Sequence, residues 1–187
     1  ITTEVATLIR QFYDEGHSVI FGHDTLRPVG SSPIFSTVAD LAGLTTDSSY
    51  PYWDGTGKNY GGTEVTIYKE GIFTSYPYNI GGIGTVLTIP TSHVSYQIAT
   101  KADIWLQFKN AEQYMNEYNN YLATYKNVAL IQTGHSTGLA TDDEQKIWAN
   151  LLFYLGDVNT STSAVDKNFK DINAPNAPTI SKTSLTG

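Results

Sequence analysis

The sequence predicts an α/β fold with a mainly parallel central sheet, flanking helices and a β-rich aromatic insertion near residues 60 to 90. Three observations point there. Val128 to Ile131 is a continuous apolar run, as expected of a strand covered on both faces. The polar turn Gln132-Thr133-Gly134-His135-Ser136 follows it, then a helical pattern with Ile147, Trp148, Leu151, Leu152 and Leu155 on the inward face. Ser18 to Phe21 repeats the arrangement, as a short apolar strand that stops at Gly22-His23-Asp24-Thr25. Parallel sheets need covering helices and place their sites where strand ends meet turns.

The remaining elements follow in order. Thr2 or Thr3 can cap a first helix carrying Val5, Leu8, Ile9 and Phe12 on one face, ended by Gly16. Ser32-Pro33 is an N-cap and first-turn pair for a helix with Phe35, Val38, Ala39 and Ala42 inward, closed by Gly43. Leu44 to Gly62 has neither strand nor helix periodicity and reads as a long loop rich in aromatic residues. Glu64 to Tyr68 and Ile72 to Thr74 read as short strands around the turn Lys69-Glu70-Gly71. Thr85 to Ile89 is a further strand, ending at Pro90-Thr91-Ser92-His93. Ala102 to Phe108 reads as a strand or edge segment, and Asn110 to Tyr125 as a short helix or a loop with a turn at Asn119-Asn120-Tyr121. Thr141 and Glu144 form a capping box, and Gly156 is the expected helix stop. One domain spans residues 1–158, and the Ser/Thr/Pro-rich stretch 159–187 reads as a linker to a further module.

Composition narrows the function classes. The chain has 187 residues and a net charge of −7, with no basic run, which argues against nucleic acid as a partner. No apolar run approaches the roughly 20 residues of a membrane-spanning helix, so no membrane insertion within this chain is expected. Zero cysteines exclude a thiolate nucleophile, a disulfide framework and a thiolate metal site. The 13 tyrosines, set among many small polar residues and few charges, lean towards a bacterial cell-surface or secreted protein.

Two segments resemble known domains. The helix followed by Gly16-His17-Ser18-Val19-Ile20-Phe21-Gly22-His23-Asp24 resembles the entry to the nucleophile turn of class I glutamine-amidotransferase-like domains. Lys126-Asn127-Val128 through Thr133-Gly134-His135-Ser136, with Glu144, Lys146, Asn150 and Tyr154 beyond it, is similar to a segment of uncharacterised domains in bacterial cell-surface proteins. The resemblance implies a flavodoxin-like fold with strands upstream of Ile1. Gly22 or His23 stands where an amidotransferase has its cysteine, so glutamine hydrolysis by a thiolate is excluded. The reading that follows is a non-catalytic amidotransferase-like module of a multidomain protein, a scaffold or binding unit beside neighbouring domains, with no cofactor. The alternatives are a hydrolase with a strand-end cleft and a carbohydrate-binding module.

The candidate catalytic residues are His23, Asp24, His93, His135 and Ser136. The three histidines each follow a predicted strand, so they could line one crevice, where imidazoles suit a general base or a zinc-type metal. The competing reading, taken here, is that each orders its own turn by bonding nearby backbone and that no metal is held. Gly134-His135-Ser136-Thr137-Gly138 matches a nucleophile-elbow pattern, although the helix begins several residues late for one. The candidate ligand-binding residues are Tyr50, Tyr52, Trp53 and Tyr60, whose flat rings suit a sugar face or else cover the sheet edge. The partner would then be a carbohydrate or a protein ligand.

Overall fold

The computed structural model describes residues 2–23, 25–26, 38–45, 61–94, 98–99, 101–109, 120–135 and 138–160. Helix α1 (Thr3–Asp14) leads into strand β1 (Val19–Phe21). A 3-10 turn (Ala39–Ala42) precedes β2 (Leu44–Thr45), which pairs with β5 (Ile98–Ala99) in a two-stranded ribbon. The other elements are β3 (Gly61–Ile67), a single helical turn α2 (Ile72–Ser75), β4 (Val86–His93), β6 (Asp103–Phe108), β7 (Asn120–Tyr125), β8 (Val128–Ile131) and α3 (Asp142–Thr160). They build a six-stranded mixed sheet in the order β1-β8-β7-β6-β3-β4, curled into a half-barrel.

This corrects the expected parallel, flavodoxin-like sheet. In the six-stranded sheet only β1 and β8 run parallel, and every other neighbouring pair is antiparallel. The apolar run of β8 does reflect cover on both faces, but a long β7–β8 hairpin supplies the neighbour. Its turn is Lys126-Asn127, with Lys126 at φ 53°. The stretch near residues 60 to 90 is no insertion, since β3 and β4 are themselves part of the sheet.

Two apolar layers flank the sheet. On one face Val65, Ile67, Leu87, Ile89, Leu106, Tyr121, Ala129 and Ile131 close over Ile147, Leu151 and Leu155 of α3. On the other, Val128 and Leu130 meet Ala6, Leu26, Val38, Leu41 and Leu44. Alternate residues of β8 thus serve both layers, as the period of a strand requires. Helix α1 contributes less than its pattern suggests. Ala6 is its buried residue, while Val5, Leu8 and Phe12 are exposed. Leu152 of α3 is exposed as well, against expectation.

Several boundaries also move. Ile72–Ser75 forms a helical turn, where a strand was expected. Asn120–Tyr125 is a buried strand, although its polar composition reads as helix or loop. Helix α3 runs through Gly156 to Thr160, because one glycine costs a helix only about 1 kcal/mol.

Strand β4 continues past Pro90, and this positions everything that follows. Its register with β3 jumps from Glu64↔Thr88 to Gly62↔Ser92. Ile89, Pro90 and Thr91 therefore lie opposite the single residue Thr63. A bulge of this kind bends the strand and re-aims its end, and an edge strand tolerates the missing N–H of proline there. Past the bulge, β4 stays paired with β3 at Ser92 and His93, while the Ser92 hydroxyl donates to the Gln132 carbonyl just beyond β8. The start of α3 covers the backbone of β4. Asp143 Oδ2 accepts from Thr88 N (2.9 Å) and Thr141 Oγ1 donates to Thr88 O (2.5 Å). Among the described residues, no helix is long and apolar enough to cross a membrane.

Trp105 should be a main energetic support of the core. It is fully buried between Phe73 and Tyr154 (ring centroids 5.4 and 5.5 Å), and its indole N–H donates to Thr124 Oγ1 at 2.8 Å. Trp105→Ala is expected to cost about 3–5 kcal/mol in urea unfolding. Leu8→Ser, on the exposed face of α1, should stay within about 0.5 kcal/mol. Equal effects of the two would contradict this assignment of the core.

Candidate metal centre

Three elements deliver one histidine each to a common point. His23 follows β1, His93 ends β4, and His135 lies in the polar turn after β8. Strands β1 and β8 are adjacent and parallel, so their ends lie side by side. Strand β4, the far edge of the sheet, reaches them only through its bulge. The ring nitrogens that face one another are all Nε2. His135 Nε2 lies 3.0 Å from His23 Nε2 and 2.9 Å from His93 Nε2. His23 and His93 are half-buried and His135 is exposed. The expectation that each histidine orders only its own turn is therefore corrected.

The outer nitrogens define the tautomers. His93 Nδ1 is 2.7 Å from the Val94 carbonyl, which can only accept, so Nδ1 carries the proton. His23 Nδ1 faces Gln132 Oε1 at 3.2 Å, another acceptor, and is protonated for the same reason. Both Nε2 lone pairs then point towards His135. A single proton on His135 Nε2 can satisfy one of them at a time, whereas a cation satisfies all three rings. Tetrahedral zinc with Zn–N bonds of about 2.0–2.1 Å separates its nitrogens by about 3.3 Å. The two spacings from His135 need to open by only a few tenths of an ångström to match this, and all three ligand nitrogens lie within 4.8 Å of one another. Imidazoles whose second N–H is held by a carbonyl oxygen are the usual outer support of a metal ligand.

The segment 132–135 shapes the centre residue by residue. Gln132 is fully buried: its N–H donates to Tyr121 O (2.8 Å), its carbonyl takes the Ser92 hydroxyl, and its side chain faces His23. Thr133 Oγ1 donates to Glu144 Oε1 at 2.7 Å. Gly134 lies under the His23 ring, where a Cβ would come within 2.5 Å of His23 Cδ2. His135 adopts φ 55°, a left-handed conformation that costs a non-glycine residue energy and turns its ring back towards the other two. Gly61, paired with His93, has no room for a Cβ either, which would fall 2.6 Å from that of His93.

The carboxylate of the capping box does something else here. The Glu144 backbone N–H donates to Thr141 Oγ1 at 3.1 Å, in the sense expected of the cap. The Glu144 side chain is buried and receives both Thr133 Oγ1 and Tyr121 Oη, the latter at 2.8 Å. Burial, and then the adjacent carboxylate, push the Tyr121 phenol well above its ordinary range, so it remains a donor.

Of the residues expected at the site, His23, His93 and His135 are brought together. Asp24 and Ser136, and the aromatic residues Tyr50, Tyr52, Trp53 and Tyr60, lie outside the described residues. His17 sits apart, stacked on Phe12 with ring centroids 4.3 Å from each other. Ser92, Gln132, Gly134 and Glu144 were not singled out as site residues. A polar glutamine directly continuing a buried apolar strand was the available signal for Gln132. Comparison with protein-family models, curated proteins and solved structures finds no match for this chain.

Gly134→Ala is expected to weaken zinc binding by at least about tenfold, since the added methyl displaces the His23 ring. Competition with a chromophoric chelator reads this, with far-UV circular dichroism as the check that the fold persists. Unchanged affinity would show that the ring is not held against Gly134.

Proposed function

We propose that this chain is a metal-binding module that holds a zinc-class divalent ion at His23, His93 and His135 and acts as a metal-dependent hydrolase. The observation that carries the proposal is the convergence of three Nε2 atoms whose Nδ1 partners leave their lone pairs facing inward. Neutral imidazoles favour zinc, copper, nickel or iron over magnesium or calcium, which prefer oxygen. Structural zinc sites are closed by four protein ligands, whereas the three ligands found among the described residues leave a position for water, whose pKa the ion would lower to about 7. Exposure of His135 supports solvent access at that position. The extracellular setting expected from composition goes with this proposal, because a cysteine-free metal site is insensitive to oxidation.

A second reading has its own support. The site spans the two edges of the sheet, so an ion there would also act as a clasp that stabilises the curl, in keeping with a scaffold or binding unit. A ligand that binds only the folded state stabilises it by about 2.7 kcal/mol at 100 times its dissociation constant.

Titration calorimetry with zinc should show one ion per chain at pH 7.5, lost in His93→Ala and much weakened at pH 5, where protons compete for the imidazoles. Hydrolysis of an activated ester should require the ion, rise through neutral pH and disappear in His93→Ala. Zinc-dependent stabilisation without turnover would favour the clasp, and no zinc binding at all would refute both readings.

A further inference from the structure

We infer that Glu144 is a positioning residue of the three-histidine centre, acting through Thr133 to hold the ligand-bearing segment 132–135 in register. The inference rests on the metal-binding reading above. Glu144 lies in the first turn of α3, and its carboxylate is buried rather than turned to solvent. A buried carboxylate is costly unless hydrogen-bonded. Here a single oxygen, Oε1, accepts from Thr133 Oγ1 at 2.7 Å and from Tyr121 Oη at 2.8 Å. Bonds to a charged acceptor are shorter and stronger than neutral ones.

The two donors differ in what they can influence. Tyr121 belongs to β7, within the sheet, and meets the segment through its backbone carbonyl, which accepts from Gln132 N and which Tyr121→Phe leaves in place. Thr133 stands between Gln132, whose side chain faces His23 Nδ1, and Gly134, on which the His23 ring rests. His135 is the next residue, held at a left-handed φ of 55° that its surroundings must maintain. One hydroxyl therefore connects the start of α3 to the segment that supplies one ligand and orients another. The same helix start also grips β4 through Thr88, five residues before His93. Glu144 thus holds the β8 side of the centre while its neighbours Thr141 and Asp143 hold the β4 side.

The test compares two substitutions that each remove one hydrogen bond to the same oxygen. Thr133→Val keeps the shape of the side chain, and Tyr121→Phe keeps the ring. A purely structural role for Glu144 predicts losses of thermal stability in the metal-free protein and similar, small changes in zinc affinity for both. A positioning role predicts that Thr133→Val weakens zinc binding by about tenfold, the lower end of the effect of outer-sphere substitutions. Tyr121→Phe should stay within about threefold by the same standard. Cobalt(II) substituted for zinc adds a spectroscopic check. The visible d–d bands should change in Thr133→Val and remain as in the wild type in Tyr121→Phe. If either variant fails to fold, Glu144→Gln, which can still accept both hydroxyls, should retain affinity where Glu144→Ala loses it. Wild-type affinity in Thr133→Val, or equal losses in the two variants, would overturn the role of Glu144 alone. A wild-type protein that binds neither zinc nor cobalt would overturn the metal centre itself.

Discussion

The hydrogen bond from the Ser92 hydroxyl to the Gln132 carbonyl joins the edge strand β4 to the end of β8, which lies four places away in the sheet order. Together with the grip of the α3 start on Thr88, it holds the bulged end of β4, and so His93, against the ends of β1 and β8. The bulge supplies the bend and Pro90 makes regular pairing impossible at that point, yet neither selects a destination. Gln132 does. It is buried, and its amide N–H, carbonyl and side chain address Tyr121, Ser92 and His23 respectively. A buried glutamine satisfied on all sides holds one geometry, because any shift leaves a polar group unpaired in a low-dielectric interior.

The same device recurs along α3. Asn150 is fully buried, yet its Nδ2 donates to the carbonyls of Phe73 and Tyr78 (2.7 Å each) and its Oδ1 accepts from Tyr78 N at 2.9 Å. This ties α2 and the segment after it to the middle of the helix, as Glu144 ties the histidine-bearing turn to its start. The apolar residues of α3 provide most of the burial, while its buried polar side chains Glu144 and Asn150 decide which loops lie where. A helix that is hydrophobic on one stripe packs against a sheet in several rotations, and the hydrogen bonds select one of them. The site then inherits its precision from the helix and the curled sheet, rigid elements both.

Much of this was legible residue by residue, and the rest was hidden for physical reasons. The caps of α1 and α3, the strands around Val19 and Val128, and the left-handed Gly16 and Gly43 follow from local rules, because they depend on neighbours in sequence. The placement of His23 just beyond β1 was visible too, whereas His93 is the last residue of β4 rather than a residue past its end. Sheet direction was not, since a two-sided apolar strand looks the same beside a parallel or an antiparallel partner. Strand β7 was concealed by Asn120 and Thr124, which are buried in the sheet and make the segment read as polar. The exposed apolar residues Val5, Leu8 and Phe12 misled in the opposite way, as a helical stripe need not face the core. Convergence of the three rings depended on the β4 bulge, a long-range event that no local window contains.

In the proposed centre three imidazoles from three separated segments meet at one ion. X-ray absorption at the zinc edge of the loaded protein measures this directly. The predicted result is three imidazole nitrogens at about 2.0–2.1 Å with one further light-atom ligand. When His93 is replaced by alanine the protein should retain no zinc, so the imidazole signature at the zinc edge should disappear. A first shell with one or no imidazole, or a spectrum unchanged by that replacement, would contradict the closure of the sheet around the histidines.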